Sequence, residues 1–157
     1  MVQVGPKMLG GRVAFDVPVE VAFAYLADPR NRPEWQASLR SVEMLDEGDP
    51  RVGMRWQDHT VVGLVPRMEI TEMEPGELWV ERGRWRAIDA ILMLGFEPTA
   101  TGCVVDVKFR VHGRGLFAPV GWLATGTGVL PVLSDVRRAA RILTERRQPW
   151  DAPSASS

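Results

Sequence analysis

Residues Val17 to Trp35 read VPVEVAFAYLADPRNRPEW. Val19, Ala22, Phe23 and Leu26 recur at helical spacing, with Glu20 placed early where the helix dipole favours an acid. Asp16 is the candidate N-cap and Pro18 suits the first turn. Pro29 stops the helix, and Asp28-Pro29 with Arg32-Pro33 predicts a tight polar corner holding one short helical turn that ends near Trp35.

The pattern changes on both sides of this segment. Before it, Val13 and Phe15 alternate with Arg12, Ala14 and Asp16, predicting a first strand. After it, strand-like alternation runs from about Leu39 to Val111. Residues 53–65 read as one long or bent strand with a kink at Gly63. Residues 67–74 alternate and then slip near Thr71, the mark of a bulge. Val105, Val107, Phe109 and Val111 alternate cleanly with Asp106, Lys108 and Arg110. Beyond His112-Gly113 the period returns to helical. Val129, Val132, Leu133, Val136, Ala139, Ala140 and Leu143 form one stripe, with Arg137, Arg138 and Arg141 off it. Pro131 and glycines 121, 126 and 128 predict a kinked, broken or loop-like start to that helix.

The chain has 157 residues, 45% hydrophobic and 25% charged, with a net charge of -1. That composition fits one soluble domain with a real core. The near-neutral charge argues against nucleic acid as a partner. The lone cysteine, Cys103, permits no internal disulfide, and the first eleven residues lack the apolar run of a signal peptide. A cytoplasmic location follows as the expectation. The expected layout is an N-terminal extension (1–10), a folded domain (11–148) and a flexible tail (149–157).

Within residues 78–86 one face carries Val80, Arg82, Arg84 and Arg86, and the other carries Trp79, Glu81, Gly83 and Trp85. Three arginines are costly to bury, so that face is expected to be wet and Glu81 to point inward between two tryptophans. A carboxylate there has a raised pKa and can move a proton, or it can pair with a nearby arginine. His59 is a second candidate base; its neighbour Asp58 faces the other way on a strand and cannot form a dyad with it. Tyr25 lies one position off the apolar stripe. No metal, nucleotide or nucleophile-elbow motif is present, and no cofactor is expected. Gly113 and Gly115 mimic a dinucleotide fingerprint but no second βαβ unit follows. Leu116 to Leu133 holds no charged residue, and reads as a buried or lid segment in preference to a membrane span.

Strand, helix, Asp-Pro corner with Trp, many strands and a terminal basic helix, in that order, resemble the START-like helix-grip superfamily, in particular its polyketide cyclase/dehydrase-like branch. The motifs are VPVEVAFAYLADPRNRPEW (Val17 to Trp35), VGMRW (Val52 to Trp56), FEPTATG (Phe96 to Gly102) and DVRRAARIL (Asp135 to Leu143). The resemblance implies an α+β fold. Its curved antiparallel sheet of about seven strands wraps a long C-terminal helix, with two short helices after the first strand and a cavity between the layers. It further implies a small hydrophobic or aromatic ligand, lipid- or polyketide-like. The expected lining is Trp56, Trp79, Glu81, Trp85, Leu92, Phe96, Phe109, Trp122, Val132 and Val136. Two alternatives stand beside binding: a cyclase or dehydratase in which Glu81 and His59 move protons, and a module that touches a membrane or partner transiently through Leu116 to Leu133. A monomer or homodimer is expected.

Overall fold

The computed structural model describes residues 8–115 and 118–147, with side chains described outside 118–129. Seven strands form one antiparallel sheet in the order β1-β7-β6-β5-β4-β3-β2. They are β1 (Leu9–Phe15), β2 (Leu39–Met44), β3 (Arg55–Thr60), β4 (Arg67–Glu74), β5 (Leu78–Trp85), β6 (Ile88–Pro98) and β7 (Cys103–Gly113). Between β1 and β2 lie α1 (Val19–Ala27), a 3-10 turn (Pro29–Asn31) and α2 (Arg32–Trp35), and the 30-residue α3 (Ala118–Arg147) closes the fold. This is the helix-grip arrangement.

The core follows from the two periodicities. Val105 and Val107 on β7 and Leu92, Leu94 and Phe96 on β6 are buried on the concave side. Leu133, Val136, Ala139 and Leu143 of α3 join the same apolar cluster, while Arg137, Arg138 and Arg141 stay exposed. The helix comes close to the sheet at Gly11, where an added Cβ would sit 3.0 Å from a Leu133 methyl. Phe23 of α1 meets Phe96 edge to face, ring centroids 5.1 Å apart. Trp35, Trp56 and Trp79 are fully buried in this cluster.

Three local expectations are corrected. Asp16 does not cap α1: Pro18 holds the N-cap position, its carbonyl accepting from the amides of Val21 and Ala22. Buried Val17 between strand and helix displaces the acid from that position. The long strand over 53–65 is cut at both ends, because Gly53 and Gly63 both take φ of +87°. Residues 61–66 form the β3–β4 connection instead, closed by hydrogen bonds from the Leu64 amide to Thr60 Oγ1 (2.9 Å) and from the Thr60 amide to the Leu64 carbonyl (3.0 Å). Finally, α3 is helical from Ala118 onward with Pro131 inside it, not loop-like at its start. Each glycine costs a helix only about 1 kcal/mol, which is a penalty and not a prohibition. The bulge near Thr71 is present as a register shift between Ile70 and Glu72. Among the described residues, no helix is long and apolar enough to cross a membrane.

Candidate functional site

The Asp-Pro corner after α1 determines what enters the concave face. Asp28 accepts from the Arg30 amide at 3.0 Å and caps the 3-10 turn, and Asn31 Nδ2 ties back to the Tyr25 carbonyl at 3.0 Å. The chain then turns directly into α2, whose carbonyl at Arg32 accepts from the Gln36 amide at 2.8 Å. This short, doubly braced corner drives both Trp35 and Arg32 inward, and Arg32 is 2% exposed.

Two carboxylates receive that guanidinium. Arg32 Nη1 donates to Glu81 Oε2 on β5, and Arg32 Nη2 donates to Asp58 Oδ2 on β3 at 3.1 Å. The two strands are not neighbours, since β4 runs between them. Trp56 Nε1 donates to the other Asp58 oxygen at 2.9 Å. The rings of Trp35 and Trp56 lie 5.9 and 5.4 Å from the guanidinium carbon, within cation–π range. Arg32 Nε has no hydrogen-bond acceptor among the described residues.

One cation thus faces two buried acids. Burial is the largest influence on Glu81 and pushes its pKa up; Arg32 opposes that, the Asp58 charge adds to it, and the result is about 7 against an ordinary 4.5. Burial works against the Arg32 cation too, but Glu81 and Asp58 outweigh it and its pKa is raised. The site therefore holds a fixed positive charge beside a carboxyl that exchanges its proton near neutrality.

A cavity of about 280 Å³ opens over this cluster. Arg32, Asp58 and Glu81 supply its polar floor. Met68, Trp85, Ile88, Leu92, Phe109 and Val132 supply apolar wall, and Gln36, Ser38, Thr60 and Asp135 lie around it. Burial raises the Asp135 pKa, although its Oδ1 accepts the Ala37 amide at 3.2 Å.

Of the residues singled out from the sequence, Glu81, Trp85, Leu92, Phe109 and Val132 come together on this cavity. Trp56, Trp79, Phe96 and Val136 are buried in the apolar core, outside the cavity wall. The Trp122 side chain is not among the described side chains, and neither are most of those in the 116–133 segment. His59 points to the opposite sheet face, where its Nε2 is 3.1 Å from Glu43 Oε2. Tyr25 is buried away from the cavity, its hydroxyl donating to Glu34 at 3.0 Å, and burial followed by that contact raises its pKa to about 12.

Sequence reasoning missed Arg32 and gave Asp58 no role. The available signal was indirect: two inward carboxylates demand a cation. The arginines on the same strand as Glu81 are engaged elsewhere, since Arg82 and Arg84 both pair with Asp89 at 3.3 Å. A larger open groove of about 580 Å³ between β1 and α3, edged by Arg137, Arg141 and Glu145, lies away from the buried charges. The smaller cavity is where chemistry and enclosure coincide.

The family model described as polyketide cyclase / dehydrase and lipid transport matches residues 11–146. No curated protein matches the sequence. Solved structures similar to this chain include a START superfamily protein from Mycobacterium smegmatis, with 10% identity, TM-score 0.71, and 87% of this chain and 99% of that one covered. A protein from Mesorhizobium loti is similar at 16% identity and TM-score 0.68, with 88% and 98% covered. The di-domain ARO/CYC StfQ from the steffimycin biosynthetic pathway is similar at 16% identity and TM-score 0.72, with 90% of this chain but 51% of that one covered. At these identities the likeness concerns the fold.

Proposed function

The chain belongs to the polyketide cyclase / dehydrase and lipid transport family, and on that premise we propose that it binds a small, ring-containing hydrophobic molecule in the cavity above Arg32, Asp58 and Glu81. The observation that carries the reading is an apolar enclosure with a charged floor. Ligand sites generally combine a mostly apolar wall with a few placed polar groups. At about 280 Å³ the space falls near the lower end of the range for such sites, which favours one or two rings over a long acyl chain. Trp85 and Phe109 offer aromatic surface, and the Arg32 and Glu81 side chains at the cavity floor offer a handle for a ligand oxygen.

Native mass spectrometry of the purified chain is expected to show an adduct of a small hydrophobe that denaturation releases. Replacing Ala90 on the cavity wall by Phe should remove that adduct with little loss of thermal stability, because the added ring enters existing space. A chain that never carries an adduct, and whose tryptophan emission no aromatic probe changes, would end the binding reading.

A second reading is favoured by one specific observation. Glu81 exchanges its proton near pH 7 while facing the cavity. A carboxylate of that kind can take a proton from the carbon beside a ketone; the enolate carbon then attacks a second carbonyl of the same molecule to close the ring, and the carboxyl returns the proton to the new alkoxide. Repeating the proton removal beside the ketone and delivering that proton to the departing hydroxyl releases water. Arg32 would then hold the enolate oxygen. His59 is on the far face of the sheet and has no place in such a step.

A further inference from the structure

The ends of the strands around the cavity carry a surface that ligand binding does not use. In this antiparallel order, the β3–β4 connection, the β5–β6 turn and the end of β7 all lie at one rim of the sheet. The cavity lies at that rim, since Thr60, Pro66, Trp85 and Ile88 line it. The connection reads Val61-Val62-Gly63-Leu64-Val65, and all five residues are exposed, Val62 at 77%. Leu130, two residues from cavity-lining Val132 on α3, is 71% exposed. Single exposed apolar residues are ordinary; a continuous uncharged run at the tip of a hairpin is not.

The charge flanking the hairpin and the β5–β6 turn is basic. Arg67 follows the hairpin directly, Arg84 is its register partner on β5, Arg86 stands in the β5–β6 turn, and Arg114 follows β7. Arg86 takes φ of +53° and stacks on Trp85, its guanidinium carbon 4.8 Å from the ring, so the tight turn presents its cation at the rim. Asp89 is buried beneath Arg82, Arg84 and Arg114, and exposed Glu69 stands opposite Arg82, one alternate position further from the rim than Arg67. Among the described residues, no exposed carboxylate interrupts 60–67 or 84–88.

We propose that this rim docks the chain on an anionic lipid surface, with the 61–65 hairpin entering the headgroup–acyl boundary and the arginines meeting lipid phosphates and carboxylates. Apolar side chains that enter the interface and basic residues that stay outside it are the two contributions reversible membrane binding needs. The docked orientation points the cavity mouth at the bilayer, so the ligand can pass between lipid and protein without crossing water. That last consequence rests on the ligand-binding reading; the docking surface does not.

Flotation of the full chain with phosphatidylcholine vesicles, with and without phosphatidylserine, tests the proposal. The chain should float with the serine-containing vesicles, weakly with phosphatidylcholine alone, and less as salt rises. The V62D/L64D pair and the single change Arg67→Glu should each weaken flotation about tenfold or more while leaving the melting temperature unchanged. Absence of flotation by the parent chain, or variants that float as well as it does, would overturn the proposal. So would a dimer in sedimentation that V62D/L64D dissolves without any vesicle binding, because the rim would then be covered by a second copy. Adduct mass in the same preparations separates the two readings. An empty cavity with intact flotation counts against the ligand alone, and a filled cavity without flotation counts against docking alone.

Discussion

Replacing Arg32 by leucine is expected to cost the fold about 3–5 kcal/mol at pH 8, because it leaves Asp58 and Glu81 buried side by side without their cation. For a domain of this size that corresponds to a fall in melting temperature on the order of 10 °C. The loss should shrink as the pH falls toward 5, since the Glu81 carboxyl, already raised to about 7, then holds its proton and is neutral. Thermal unfolding followed by circular dichroism at the two pH values measures it. An Arg32→Leu chain that melts with the parent at pH 8 would show that the triad carries no weight in the fold.

Glu81→Gln is expected to act in the opposite direction at high pH. The unfolded chain releases the Glu81 proton near 4.5 and the folded chain keeps it to about 7. The folded state therefore binds more protons between those values, and this group's contribution to stability is full below 4.5 and lost as pH rises through 7. The shift corresponds to about 3 kcal/mol, at about 1.4 kcal/mol per pH unit. Glutamine cannot titrate, yet its amide oxygen can still accept from Arg32 Nη1. The variant should thus flatten the stability profile between pH 4.5 and 7 and exceed the parent in stability above pH 7. Denaturant melts across that window give the slope directly. An unchanged slope in Glu81→Gln would assign the proton to another group, and Asp135 is the next to examine because burial raises its pKa as well.

The sheet was legible wherever alternation was local. β7 could be read from Val105 to Val111, and the inward direction of Glu81 followed from Arg82, Arg84 and Arg86 sharing the opposite face. The bulge at Ile70/Glu72 was visible as a slip in the pattern. What the sequence hid is long-range. Arg32 sits 49 residues from Glu81 and 26 from Asp58, in a corner whose direction depends on Asp28, Asn31 and the capped 3-10 turn. No periodicity links such a corner to a strand register. Trp56 and Trp79 could not be separated from Trp85 by composition, because core and cavity differ only in what packs opposite. The short β3 was disguised by apolar 61–65, which resembles strand until the φ of Gly63 turns it into a hairpin.

The concave side of the sheet is filled unevenly, and the two parts tolerate a change of side-chain volume differently. Where α1 and α3 press on Phe96, Val105 and Val107, any change of volume is felt by the whole fold. Around Ile88, Ala90 and Phe109 the sheet meets open space, and a larger or smaller side chain there alters the shape of the hollow with little strain. A combinatorial library confined to those three positions is therefore the natural place to reshape the hollow without renegotiating how the chain folds.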